Sequence, residues 1–526
     1  MARLSRVAAG AAAMALALIL AASPVFAAPP APGLTLLEAL RLTLENDPAI
    51  ARTLVQSDLA EGSRLQAAAT FDPLVTSGAT RLDTETPTGE DSSTEEETYL
   101  LSAGVDQLLH SGLQLTPTVS LQQDREDGGS NVGTLAIDFR QPLLRGRGSA
   151  TVTANLRAAE IETEAVAADV RQTLSLRLLR VAQQYWQVVA ARRNLTVFSE
   201  SERTSRELLE TSERLVEADL RPAADLILLE ADLTAKETSR IAGQQALFAA
   251  RQNLGREIGL SAEAIARLPM PSDPLPVVAP EDLRGSGDGL AFVALALRWR
   301  DDLRAARLRE EAGRILARAA ENGLKPRLDL LVTPSYTGFV AGDSVGDLFS
   351  SPLENVPGVS TSVGLSLGLP LRNRRAEGLL LQAEALLTSA RLDVEALEKQ
   401  LGADVPSALD GLRRNAEQLE RAQRSVELFA RVVSNEAKKL GVGASTLIDV
   451  ISQQDRQTAA QRQLVSAQLS LALALLDLRF RTGTLVRRIG DGGELRLSDF
   501  VTLPEPSPMV PVRPDSGPSP SAGELP

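Results

Sequence analysis

Apolar positions along this chain change period from helix to strand and back, and then the whole cycle runs again. Residues 34–70 space Leu, Ala and Val as one helix face would. Asn46-Asp47-Pro48 marks an internal restart, with Asp47 as N-cap and Pro48 at the first helical position. Over residues 71–141 the period falls to two. Leu113, Leu115, Val119 and Leu121 share one face, and Leu135, Ile137 and Phe139 repeat the alternation. The polar runs DTETPTGEDSSTEEE and DREDGGSN between these segments read as loops. Residues 149–217 contain neither proline nor glycine, which predicts a single helix roughly 100 Å long. Arg221-Pro222 marks a tight reversal, and 223–258 returns as a second helix.

A Pro-rich linker, 271–289, separates this cycle from the next. The second has a helix at 290–322 and strands within 327–370, where Val363, Leu365, Leu367 and Leu369 alternate. A long helix follows at 371–440, then a turn at Gly441-Val442-Gly443 and a return helix at 445–481. Gly402, Pro406 and Gly411 predict a kink in that long helix. Residues 485–526 form a C-terminal segment whose Pro-, Ser- and Gly-rich end is expected to be disordered.

The two cycles align without gaps at their ends. Asp225 and Gly259 recur 224 positions later as Asp449 and Gly483, and Pro73 recurs 253 positions later as Pro326. Two structural repeats, 28–270 and 290–484, are therefore expected. Paired halves suit a stacked or encircling wall better than a catalytic centre.

Composition narrows the setting. Arg3 and Arg6, the apolar residues 7–22 and Val25-Phe26-Ala27 have the three parts of a signal peptide, 1–27. Beyond it no stretch approaches the roughly 20 apolar residues of a membrane helix. The absence of cysteine excludes disulfides and a lipid-modified cysteine, so membrane attachment falls to the fold itself. A net charge of −13 disfavours nucleic acid as a partner. The single histidine, His110 in LLHSGL, reads as a surface turn residue, and no metal or cofactor is expected. No catalytic constellation is present. Tyr185-Trp186, inside the first long helix, reads as interhelical packing.

Few strands attach to helices far too long for them. So few strands cannot close a barrel alone, and lipid does not tolerate an open sheet edge. Several chains must share one barrel, as in an outer-membrane protein that closes only as an oligomer.

LLEALRLTLENDPAI near the start, FRQPLLRGRG at 139–148 and GVGASTLIDV at 441–450 carry a specific likeness. In order and in duplicate, such segments make the chain resemble the TolC family of outer-membrane efflux and secretion channel proteins over about residues 34–484. The resemblance implies a mainly α fold: a long α-helical barrel plus a shared outer-membrane β-barrel, internally duplicated and trimeric, each protomer giving four strands to twelve. It also implies a homotrimer set in outer-membrane lipid, meeting a periplasmic adaptor and, through it, an inner-membrane pump. The periplasmic tip turns and adaptor contact would be Asp219, Leu220 and Arg221 in one repeat, Gly441, Val442 and Gly443 in the other. The family's constriction by aspartate rings falls on Asp449, with Asp225 its counterpart.

Departures accompany the likeness. Ser452 stands at the second ring position, so the constriction is expected to be less acidic. The Tyr and Arg that latch the tip in some members fall at Leu440 and Ser445, so closure must rest on other contacts. Strand count per protomer stays open, with four candidate segments in 71–141 against two in the second repeat. Tyr99, Phe139, Tyr336 and Phe339 are candidates for aromatic girdles. A periplasmic coiled-coil adaptor or scaffold is the alternative from a different class, and an exported enzyme a third.

Overall fold

The computed structural model describes residues 33–89, 92–125, 129–219, 222–278, 283, 289–342, 344–354, 359–486 and 495–505. The expected signal peptide, Leu220, Arg221, part of the 271–289 linker and the expected disordered tail beyond 505 lie outside them.

Helices carry most of the chain. Thr35 caps α1 (Leu36–Asn46), its hydroxyl accepting from Glu38 N–H, and Leu36, Ala39, Leu40 and Thr43 bury one stripe. Asp47 ends α1, and its carboxylate accepts from Ala49 N–H to start α2 (Pro48–Ala68). After the strands come α3 (Ala154–Glu217, 64 residues) and α4 (Ala224–Ile258, 35 residues). The second cycle has α5 (Gly289–Trp299), α6 (Asp301–Asn322), α7 (Arg374–Gly441, 68 residues) and α8 (Leu447–Arg481, 35 residues). At 1.5 Å per residue, α3 and α7 are each roughly 100 Å long.

Several boundaries correct the expectation. The predicted helix 149–217 breaks at Thr153, whose hydroxyl and N–H both return to Ser149 O, leaving the single turn Ser149–Val152 ahead of α3. The predicted helix 290–322 breaks at Arg300 into α5 and α6. α7 stays helical from end to end through Pro406. α8 is long and apolar enough to cross a membrane by length and composition, contrary to the reading that no such stretch follows the leader. Its Leu471, Leu475, Leu476 and Leu478 are fully buried in helical packing, so its apolarity belongs to a core.

The chain divides into two units. Within Val55–Ala167 and Ala305–Glu395 lies one antiparallel sheet, in the order β1 (Leu74–Gly89), β2 (Ser92–Leu108), β3 (Gln114–Asp124), β4 (Ser130–Pro142), β5 (Arg327–Ala341), β6 (Val359–Gly368). Four strands thus come from the first cycle and two from the second. The run 83–97, expected as a loop, is mostly paired strand: Asp83 lies opposite Glu97 and Thr84 opposite Glu96. Where helix and sheet join, Gly146 N–H donates to Asn322 Oδ1 and Arg145 N–H to Pro326 O.

The other unit contains Ala168–Arg304 and the chain from residue 396, with α1. Its core gathers Leu36, Leu40, Tyr185, Trp186, Leu254 and Ile258. A second cluster joins Val405, Leu409 and Leu412 of α7 to Leu471 and Leu475 of α8. The two cycles close their return helices alike. Gly259 ends α4 at φ +86° and Gly483 follows α8 at φ +68°. A Cβ on Gly259 would stand 2.6 Å from Asn46 O, and one on Gly483 2.6 Å from Trp299 O. Asn46 and Trp299 are 253 positions apart, the spacing of Pro73 and Pro326.

Candidate tip and constriction site

Each long helix ends on a residue in the left-handed conformation. At the end of α7, Ala444 N–H donates to Lys439 O and Gly443 N–H to Leu440 O, with Gly443 at φ +74°. That is a Schellman closure with glycine at its left-handed position. At the end of α3, Asp219 N–H donates to Val216 O at φ +61°, the only non-glycine residue with positive φ among those described. Asp219 therefore does the work of Gly443 in the other hairpin. Asp tolerates this conformation better than most residues with a side chain. Val442 is exposed beside Gly443.

The candidate constriction residues follow each turn. α8 opens with a capping box. Thr446 N–H and its hydroxyl donate to Asp449 Oδ2 at 3.2 and 2.6 Å, while Asp449 N–H donates to Thr446 Oγ1 at 3.3 Å. The Thr446 hydroxyl, its N–H, Lys439 and Ser445 hold the exposed Asp449 carboxyl below the usual carboxylate range. The structure therefore gives Asp449 a local structural job as well as a fixed negative charge. Asp225 is placed differently. It lies half-buried in the first turn of α4, whose N-cap Ala223 makes no side-chain bond. Ser452, one turn beyond Asp449, is half-buried.

Apolar and polar contacts hold the hairpins near these turns. Leu209, Leu229 and Leu447 bury together with Leu226, Leu440 and Ile451 against them, so α3, α4, α7 and α8 all contribute. Leu440 is thus committed to this cluster. Ser445 donates to Glu436 Oε1 at 2.6 Å, and Lys439 Nζ lies 3.0 Å from Glu436 Oε2. Farther from the turns, Lys236 of α4 sits between Asp232 and Asp455 of α8. Burial depresses its pKa, and the two carboxylates more than reverse that. Glu202 of α3 is buried between Arg206 and Arg240, which outweigh its desolvation and keep its carboxyl low.

One node escaped the sequence reading. The Tyr185 hydroxyl lies 2.8 Å from Leu34 O and 2.9 Å from Asp273 Oδ2, and Asp273 N–H donates to it. Burial pushes the phenol pKa well up, so it stays a neutral donor. Tyr185 does pack edge-to-face on Trp186, but it also ties the chain before α1 to the Pro-rich linker. Only Asp273 inside that linker hinted at it. His110 lies in the β2–β3 turn as expected, stacked on Phe71 at 4.4 Å. Among the girdle candidates, Phe339 points to the opposite sheet face from Tyr99, Phe139 and Tyr336, by the strand register.

The described residues thus comprise two long helical hairpins, mostly in one unit, and one antiparallel sheet in the other. Residues 293–484 match the outer membrane efflux protein family. The outer membrane efflux protein BepC of Brucella suis biovar 1 is 23% identical over 362 residues, spanning 67% of this chain and 72% of BepC. The outer membrane protein TolC of Vibrio cholerae serotype O1 is 24% identical over 370 residues, spanning 69% of this chain and 80% of TolC. The crystal structure of the outer membrane protein VceC from Vibrio cholerae superposes with a TM-score of 0.61 at 18% identity, covering 85% of this chain and 96% of VceC. At that identity the structural likeness is one of fold. Over these stretches the chain is similar to outer membrane efflux proteins of the TolC type.

Proposed function

We propose that this chain is the outer-membrane channel component of a tripartite efflux or type I secretion system. It forms a passive trimeric conduit from periplasm to exterior. Three copies close a β-barrel in the outer membrane, and their internally duplicated hairpins line up as an α-helical barrel across the periplasm. The observation that carries the reading is the pairing of two helices of 64 and 68 residues with a sheet whose faces alternate apolar and polar. Internal duplication is supported by the Gly259–Asn46 and Gly483–Trp299 contacts, which repeat at the sequence offsets.

In this reading the turns at Asp219-Leu220-Arg221 and Gly441-Val442-Gly443 meet a periplasmic adaptor, and the adaptor meets an inner-membrane pump. Asp449, Asp225 and Ser452 line the constriction. Asp449, fixed by its capping box, supplies a permanent negative charge there, as carboxylate rings do in cation-attracting pores. Without the family's Tyr and Arg latch, the Leu440 cluster and the Ser445–Glu436 bond hold the tip.

Membrane fractionation followed by mass measurement in detergent tests this reading. The protein is expected in the outer-membrane fraction at three times the chain mass. Recovery as a soluble periplasmic monomer would overturn it.

A further inference from the structure

The sheet has six strands rather than the four that the resemblance implies per protomer, and the additional hairpin is built like the rest. Register aligns complete rungs across all six. Ser77, Ala103, Val119, Leu135, Tyr336 and Val359 are successive cross-strand partners on one face. One residue away, Thr76, Gly104, Thr118, Ala136, Ser335 and Ser360 make the matching rung on the other. The first face continues with Val75, Val105, Pro117 and Ile137 and, on β6, Val363, Leu365 and Leu367.

The second face carries the sheet's side-chain polar network. Asp106 accepts from Gln114 Nε2 at 2.9 Å, Asp138 from the Thr333 hydroxyl at 2.6 Å, and Asp329 holds Arg140 and Arg327. Leu82, Leu100, Val132 and Phe339 interrupt it near the end distant from the helices, and Leu74, Leu108 and Leu331 near the helices. Charges enter the apolar face only near that same end, where Arg81, Glu97 and Arg125 surround Tyr99. There the connection between β5 and β6 also folds over it, with Pro352 against Gly133 and Ser351 against Gly338. From Leu328 to Gly338 the apolar face runs eleven residues, ten steps of rise, along β5. At the usual rise and tilt that spans about 25 Å, the height of a lipid-facing band.

Among the described residues β1 and β6 each have one strand neighbour, and both are too long to stand open in lipid. β1 leads away from the helices and β6 returns to them, so β6 of one copy meets β1 of the next antiparallel. We propose that each protomer inserts all six strands and that β1 pairs with β6 of a second copy, giving an eighteen-stranded barrel. The proposal rests on the trimeric channel reading above. Barrel diameter grows roughly linearly with strand number, so the exit is about 1.5-fold wider than that of a twelve-stranded barrel. Its wall is small and polar, and therefore suited to bulky hydrated cargo.

Strand counting in density of the detergent-extracted full-length oligomer tests this, with disulfide trapping as a second readout in a chain that has no cysteine of its own. Eighteen strands are expected. Pairing Val75→Cys, Ser77→Cys or Ala79→Cys with Val359→Cys or Val363→Cys is expected to give covalent oligomers on oxidation. A trimer with twelve strands, or one trapped by Val119→Cys with Val359→Cys and not through β1, overturns the proposal and leaves the channel reading standing. Failure to form a trimer overturns that reading as well.

Discussion

Asp219 and Gly443, 224 residues apart, both end a long helix in the left-handed conformation, with φ of +61° and +74° and an N–H that returns to the carbonyl three residues back. Gly259 and Gly483 stand in a second such pair at the same offset. The sequence offset of 224 thus also relates the backbone conformations at these helix ends. The aspartate that stands for glycine falls at the candidate adaptor-contacting turn.

The glycines differ in what surrounds them, and that sets an order of sensitivity. Nothing lies within 4 Å of a Cβ on Gly443, so Gly443→Ala should cost only the left-handed strain, about 1 kcal/mol. A Cβ on Gly483 meets Trp299 O at 2.6 Å, so Gly483→Ala should add about 1–3 kcal/mol of overpacking. Asp219→Gly should stabilise slightly by relieving the same strain. Thermal unfolding of the detergent-solubilised protein checks the order Asp219→Gly, wild type, Gly443→Ala, Gly483→Ala.

Asp449 and Thr446 separate charge from capping. Asp449→Asn retains a polar N3 side chain but removes the charge, so cation preference and block by multivalent cations should fall with little change in melting temperature. Thr446→Ala keeps the charge and loses the box, costing about 1 kcal/mol with selectivity largely retained. Reversal potentials and melting curves on both variants check this. Unchanged selectivity in Asp449→Asn would reduce Asp449 to a helix cap.

Much of the architecture was legible because long helices announce themselves by what they lack. No proline or glycine interrupts 149–217, and the 224-residue offset aligns two return helices of equal length. The break at Arg300 was hidden because no glycine or proline marks it. The outer ends of β1 and β2 were hidden because Asp83–Glu97 is polar on both faces, leaving no alternation to detect. Asp449 was singled out by its position alone, and its cap required knowing that Thr446 is the N-cap of the helix. The Tyr185–Asp273 node joins residues 88 positions apart, and no local pattern reports such a contact.

Asp47 links folding to pH. Its side chain is 1% exposed and bonded by Arg177 at 2.6 and 2.9 Å. Burial raises its pKa, but the bonds to Arg177 and Ala49 N–H outweigh that, leaving the carboxyl below its ordinary value. A depressed folded-state pKa contributes stability that is present above the unfolded value of about 4 and lost as pH falls through the folded one. Wild-type melting temperature should therefore drop on acidification below about pH 4. Arg177→Ala strands a buried carboxylate, costing about 3 kcal/mol near neutrality. In that variant, lowering the pH from 7 towards 5 should recover part of the loss. Melting curves of both proteins across this range check the sign.

Tyr185→Phe removes the hydroxyl that joins Leu34 to Asp273 while keeping the ring on Trp186. The single hydroxyl proton shared between the Leu34 carbonyl and the Asp273 carboxylate is lost, and Asp273 N–H loses its acceptor, a loss of about 1–3 kcal/mol. Limited proteolysis should then cut faster in the linker at 271–278 than in the wild type, with the hairpins unaffected.

The central claim is that this chain forms an open-ended conduit through a membrane, and single-channel recording in planar bilayers tests it most directly. Protein extracted from the outer-membrane fraction should insert as a trimer and give discrete, cation-preferring conductance steps that Asp449→Asn makes less selective. A trimer that inserts and conducts nothing at any voltage, pH or salt concentration would contradict it.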